Sequence, residues 1–213
     1  MQSTDLKTAL DARKAGWAEK ASDEIKRIYT AGIDDVENSG ILASAKQTGD
    51  IAPGFTLQNA TGKAVSLSEY LEKGPVVLTW YRGGWCPYCN ITLRYLQQAL
   101  PDFQAAGAQL LALTPELPDK SLTTQEKNEL SFEVLTDTNL AVAKEYGIVF
   151  KLIEEVGEAY RKNFSLLEFN GNDSDELPLA ATYVIQPDGQ ITYAFLDAEY
   201  RNRAEPADIL AAL

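Results

Sequence analysis

The sequence predicts an α/β protein: a central mixed β-sheet flanked by helices, preceded by an N-terminal helical extension. Three observations lead there. Residues 75–81 (Pro-Val-Val-Leu-Thr-Trp-Tyr) and Gln109–Thr114 are continuous apolar runs, the composition of strands buried on both faces. Each is followed by a stretch with helical periodicity. Near the end, Thr182–Ile185 and Ile191–Phe195 flank Pro187-Asp188-Gly189 and read as an antiparallel hairpin. Strands alternating with helices and closed by a hairpin make a mixed sheet covered on both faces.

The elements follow in order. The first forty residues lack proline and place Leu6, Leu10, Trp17, Ala21, Ile25 and Ile28 at helical spacing, so one or two amphipathic helices end near Gly40. They are expected to pack on their own domain or on a partner subunit, as in a homodimer. Residues 46–50 read as a linker, which divides the chain into an extension, 1–48, and a main domain, 49–213. Residues 55–57 and 64–67 form a hairpin about the turn 59–62, and 68–71 a short helix ending at Gly74. After the buried run 75–81 comes the loop 82–85, then a helix from Cys86 to Pro101 with Ile91, Leu93, Leu96 and Leu100 facing a core. A helix over 123–130, a short strand over 132–135 and a helix over 139–146 follow. Residues 150–177 read as irregular and acidic, with 170–173 an exposed turn. Residues 206–213 form a closing helix.

Composition removes several classes of function. The net charge of −12 repels phosphate backbones and anionic lipid, so neither a nucleic-acid partner nor a membrane is expected. No apolar run approaches the ~20 residues of a membrane span, and residues 1–5 do not open a signal-peptide pattern. The expected address is the cytoplasm. With no histidine, Ser-His-Asp and Cys-His catalysis and the usual histidine metal sites are excluded. The two cysteines share one tetrapeptide, which leaves no disulfide framework and no four-thiolate zinc site. No cofactor or metal is expected.

The chemistry therefore converges on Trp85-Cys86-Pro87-Tyr88-Cys89. A buried strand running through a glycine loop into a helix puts Cys86 at the helix N-terminus, where free N–H groups favour a thiolate. Pro87 suits the first turn. Cys89 lies about one helical turn on, within reach of a short disulfide. The plain alternatives are two cysteines packed as small apolar core groups, or half of a metal site. Arg82 is the only Arg or Lys between Lys73 and Arg94 and is the expected cation at the thiolate; a solvated surface charge is its alternative. Trp80, Tyr81, Trp85 and Tyr88 are expected to be mostly core or pocket wall, with Trp85 and Tyr88 the best placed for a substrate pocket or docking surface. Thr114, at a neighbouring strand end, is a third pocket candidate and equally a helix N-cap. Glu116 and Asp137 read as solvated loop charges.

Residues 51–57 (Ile-Ala-Pro-Gly-Phe-Thr-Leu), 76–81, the Cys-x-x-Cys and 182–189 (Thr-Tyr-Val-Ile-Gln-Pro-Asp-Gly) together resemble the alkyl hydroperoxide reductase/thiol-specific antioxidant (AhpC/TSA) family. This family comprises the peroxiredoxins and their relatives in the thioredoxin-fold superfamily. The stretch 82–89 is similar to the peroxiredoxin-like branch. The resemblance covers 49–213 and implies a thioredoxin-like fold. It also implies a thiol peroxidase with Cys86, Cys89 and Arg82 as catalytic residues and Trp85, Tyr88 and Thr114 around the substrate. The implied substrate is hydrogen peroxide or an organic hydroperoxide. A Cys86–Cys89 redox disulfide would be re-reduced by thioredoxin or a similar dithiol.

Two departures stand out. The peroxiredoxin pattern Pro-x-x-x-Thr-x-x-Cys falls on Arg82, Cys86 and Cys89, making Cys89 the attacking sulfur. The thioredoxin register makes it Cys86, and the helix-end position, expected to expose Cys86 more, favours that second register. Ala180 stands near where these relatives carry a cis-proline or an arginine, with Pro178 as a substitute for the first and Arg82 for the second. A thiol–disulfide oxidoreductase and a redox-sensing binding module built on 150–177 are the competing readings.

Overall fold

The computed structural model describes residues 5–213; residues 1–4, the start of the predicted extension and of the leader reading, lie outside the described residues. A seven-stranded sheet has the order β2-β1-β5-β4-β3-β8-β9. Its centre is β3 (Val76–Trp80) and β4 (Gln109–Thr114), paired in parallel, with β5 (Glu133–Thr136) parallel to β4. On one side β1 (Thr56–Asn59) and β2 (Ala64–Ser66) extend the sheet antiparallel; on the other β8 (Thr182–Ile185) and β9 (Ile191–Phe195) do so.

Every residue of β3 is buried, and the alternation of its side chains builds two apolar layers. Val76, Leu78 and Trp80 join Leu111, Leu113, Tyr146 and Tyr183 on one face. Val77 and Tyr81 join Leu93, Leu96, Phe103, Val184 and both cysteines on the other. The second layer is covered by α5 (Pro87–Ala105), against which α1 (Leu6–Lys20) and α10 (Pro206–Ala211) pack. Pro101 does not end α5 as expected. The stripe continues through buried Leu100 and Phe103, and their burial outweighs the one hydrogen bond a proline removes.

Residues 150–177 differ most from the expectation. They contain β6 (Val149–Lys151), α8 (Glu154–Phe164), α9 (Leu166–Asn170) and β7 (Glu176–Pro178), with β6 and β7 paired as a separate two-stranded sheet. Val156 and Tyr160 are buried in a third apolar cluster with Tyr29 of α2 (Asp23–Asn38), Trp17 and Trp85. The expected turn 170–173 has Asn170 buried at the end of α9, and Gly171 at φ 69° stops that helix. Pro178 lies in β7 opposite Val149 and does not occupy the position before β8. The expected helix over 123–130 is α6 (Pro118–Lys127), which starts a turn earlier because Pro118 opens its first turn. No helix among the described residues is long and apolar enough to cross a membrane.

Candidate active site

Strand β3 delivers the chain into the loop 81–85, and α5 receives it at Cys86. Cys86 is the N-cap of α5 in an extended conformation, Pro87 opens the first turn, and Cys89 completes it. The loop is tied down from three sides. Cys86 donates its N–H to the Gly83 carbonyl at 3.0 Å. Asn90 donates from Nδ2 to the Gly84 and Cys86 carbonyls at 2.7 and 3.0 Å, and its own Oδ1 accepts from Asn128. Glu116 accepts the Gly84 N–H on Oε1 at 2.7 Å.

Glu116 and Asp137 are thus not solvated: both are fully buried. Burial lifts the Glu116 carboxyl above its ordinary range, while the Gly84 N–H and the Tyr81 and Thr124 hydroxyls oppose the rise. Burial likewise raises Asp137, whose two oxygens accept the Val142 and Ala143 N–H groups at 2.9 Å each. It caps α7 (Ala141–Glu145) rather than serving a loop surface. At Gly84 the packing is tight enough to test. A Cβ there would lie 2.0 Å from Thr124 Oγ1. Gly84→Ala should cost about 1–3 kcal/mol of stability, the usual penalty for overpacking, read as a lower urea midpoint at unchanged slope.

Both sulfurs are buried, Cys86 at 1% and Cys89 at 0% exposure, which overturns the expectation of an exposed Cys86. The docking α8 closes the helix end from outside. The two thiols are not equivalent. Burial pushes the Cys86 thiol well up, and its hydrogen bond to Cys89 and the charge there push it further. Burial opposes ionisation of Cys89 too. There it is outweighed by the Cys86 S–H donor, the charges of Arg203 and Arg82 and the Arg82 backbone N–H, and Cys89 ends well below the ordinary thiol range.

Arg203, which sequence reasoning missed, donates from Nη2 to Cys89 Sγ at 3.4 Å. Its Nη1 is anchored on the Tyr200 and Asn202 carbonyls. It stands on the irregular segment after β9, 114 residues from Cys89, and carries no local signal beyond the pair Arg201 and Arg203 in a stretch without secondary structure.

Arg82 is 1% exposed, so the surface-charge alternative fails. Its guanidinium lies among three rings, 4.4 Å from the Tyr200 centroid and 5.1 Å from those of Trp85 and Tyr160. Burial works to depress it, but the fields of Tyr160, Cys86 and Tyr200 prevail and it stays charged. Trp85 and Tyr88 line a cavity beside Cys86, Trp85 half-buried and Tyr88 buried. Trp85 is covered by Tyr160 and Phe164 of α8, and Tyr88 is buried edge-on to Tyr200. Thr114 is not in that wall. Its hydroxyl accepts the Glu116 N–H at 3.3 Å, behind the loop.

Comparison with known proteins gives the family and the fold. The AhpC/TSA family model matches residues 48–194. A putative peroxiredoxin bcp of Buchnera aphidicola is 33% identical over 100 residues, which cover 47% of this chain and 63% of that protein. The chain therefore spans under two thirds of that relative. Peroxiredoxin Bcp of Escherichia coli is 26% identical over 156 residues, covering 73% and 89%. Among solved structures, peroxidoxin BcpB from Mycobacterium tuberculosis superposes with a TM-score of 0.62 at 20% identity, over 78% of this chain and 95% of that one. That superposition shows the thioredoxin-like fold expected from the sequence. With the family model matching well over half its length, the chain belongs to the AhpC/TSA family.

Proposed function

We propose that this protein is a thiol peroxidase in which Cys89 attacks the peroxide and Cys86 resolves the product. The observation that carries the reading is the Arg203 guanidinium, which donates to Cys89 Sγ at 3.4 Å and, with the Arg82 charge, favours ionisation of that sulfur over Cys86. A thiolate is the nucleophile for an O–O bond. The Cys89 thiolate attacks one peroxide oxygen, the O–O bond breaks, and the leaving alkoxide or hydroxide takes a proton. Cys89 is left as sulfenic acid. The Cys86 sulfur then displaces that oxygen as water and closes the Cys86–Cys89 disulfide. An external thiol donor reopens it, and the resemblance points to a thioredoxin-type dithiol.

This takes the peroxiredoxin register in place of the thioredoxin one, with Cys86 standing at the threonine of that pattern. Arg203 takes the place of the arginine sought near Ala180. Residues 1–48 are read as an extension that shields the site, because Trp17 and Tyr29 stack at 5.6 Å and Tyr29 meets Tyr160 edge-on at 5.6 Å. The cytoplasm fits a pair that must be returned to thiols.

The test is stopped-flow oxidation of the reduced protein by hydrogen peroxide and an organic hydroperoxide, followed by mass spectrometry. Loss of both thiols and gain of one intramolecular disulfide is expected. Two free thiols after peroxide treatment would refute the reading. Reduction of insulin disulfides without peroxide consumption would establish the oxidoreductase instead.

A further inference from the structure

The peroxidase reading uses the Arg82 backbone N–H and the charge of its side chain beside Cys89, but it gives the guanidinium's own donors no partner. Three ring faces attract its charge, but Nε and Nη1 have no hydrogen-bond partner among the described residues. A buried guanidinium with free donors is costly, and an anionic oxygen is the group that completes it. A small space adjoins the side chain. Arg82 and Cys86 share the wall of a cavity of about 70 Å³ with Trp17, Trp85 and Phe164, and exposed Arg13 also lines it. Cys89 is not in that wall. The space is smaller than the roughly 150 Å³ that admits benzene, so it suits a small head group.

These facts orient the reopening of the disulfide. Thiol exchange attacks one sulfur and expels the other, and the more acidic thiol leaves faster. Cys86 faces the cavity, and Cys89 is the better leaving group.

We propose that the oxidised pair is also reopened at Cys86 by a small thiol bearing a carboxylate, which Arg82 holds in the aromatic cavity. This rests on the peroxidase reading, since it requires the Cys86–Cys89 disulfide. The donor thiolate forms a bond to Cys86 Sγ, the Cys86–Cys89 bond breaks, and its electron pair leaves on Cys89 as thiolate. A second donor thiolate attacks the donor sulfur of the mixed disulfide and releases Cys86, which takes a proton. Two donor thiols become one donor disulfide, and the protein regains both of its own.

The charge of the whole chain argues for the opposite preference: at −12 it would draw in a cationic thiol. The test uses the oxidised full chain, shown first to hold no free thiols, and compares mercaptopropionate, mercaptoethanol and cysteamine at equal thiolate concentration. Mercaptopropionate should outrun cysteamine by about tenfold or more, the scale of a charge-assisted hydrogen bond. Arg82→Gln slows every donor by weakening the Cys89 leaving group, so the readout is the ratio of the mercaptopropionate to the mercaptoethanol rate, which should fall about tenfold in the variant, as expected for a contact only the carboxylate makes. Propionate, which has no thiol, should slow mercaptopropionate in the wild type at concentrations where propionamide, its uncharged counterpart, does not. This arm stands even if Arg82→Gln does not fold. Cysteamine equal or faster in the wild type, or no competition by propionate, would overturn the inference. Two free thiols persisting after peroxide would instead sink the underlying reading before any donor is added.

Discussion

Cys89→Ser should lower the peroxide reaction by at least about 10³-fold, the scale of losing a nucleophile. Cys86→Ser should keep the first oxidation and stop there. A serine hydroxyl still donates to the Cys89 thiolate, so the attack survives, but no sulfur remains to displace the sulfenic oxygen. Mass spectrometry should find a sulfenic acid on Cys89, trapped as its dimedone adduct, and steady-state turnover with a dithiol donor should fail in both variants. The reverse pattern, sulfenic acid on Cys86 in Cys89→Ser, would restore the thioredoxin register.

The second large effect is expected at Arg203. Its Nη2 is 3.4 Å from Cys89 Sγ, and both are buried, so solvent does little to screen the pair. Arg203→Gln removes a charge that favours the thiolate. A neighbouring opposite charge moves a pKa by ~1–3 units, so the Cys89 pKa should rise by that order. The wild-type oxidation rate should stay level as pH falls past the ordinary thiol value of about 8.5 and drop only in acid, where Cys89 takes its proton. In Arg203→Gln that drop should move to higher pH by about one to three units. A profile unchanged from the wild type would remove Arg203 from the site.

What the sequence disclosed follows from how local each signal was. Strands β3, β4, β8 and β9 are contiguous apolar runs, and the strand–glycine–helix passage at Cys86 is contained in about a dozen consecutive residues. Other features depend on partners far along the chain. Helix α8 carries its core face on Val156, Tyr160 and Phe164, but acidic residues and Gly157 between them made the segment read as a loop. Glu116 is buried because the Gly84 N–H, 32 residues earlier, folds onto it. Asp137 is buried because its oxygens find the N–H groups of the helix that follows. The exposure expected of Cys86 failed because Trp17, Tyr29 and Tyr160, from three separate helices, close over the helix end. Arg203 could be found only once β9 and the segment after it had been placed beside α5.

The central claim is that the two thiols, one turn apart and equally buried, divide the work because Arg203 donates to Cys89 and favours its ionisation. Ultraviolet thiolate titration of reduced wild type, Cys86→Ser and Cys89→Ser tests this most directly. The account predicts one thiolate that persists well below the ordinary thiol range in the wild type. It should persist in Cys86→Ser, and it should vanish in Cys89→Ser, where the remaining thiol ionises only in alkali. A thiolate that survives in Cys89→Ser and is lost in Cys86→Ser would contradict the account.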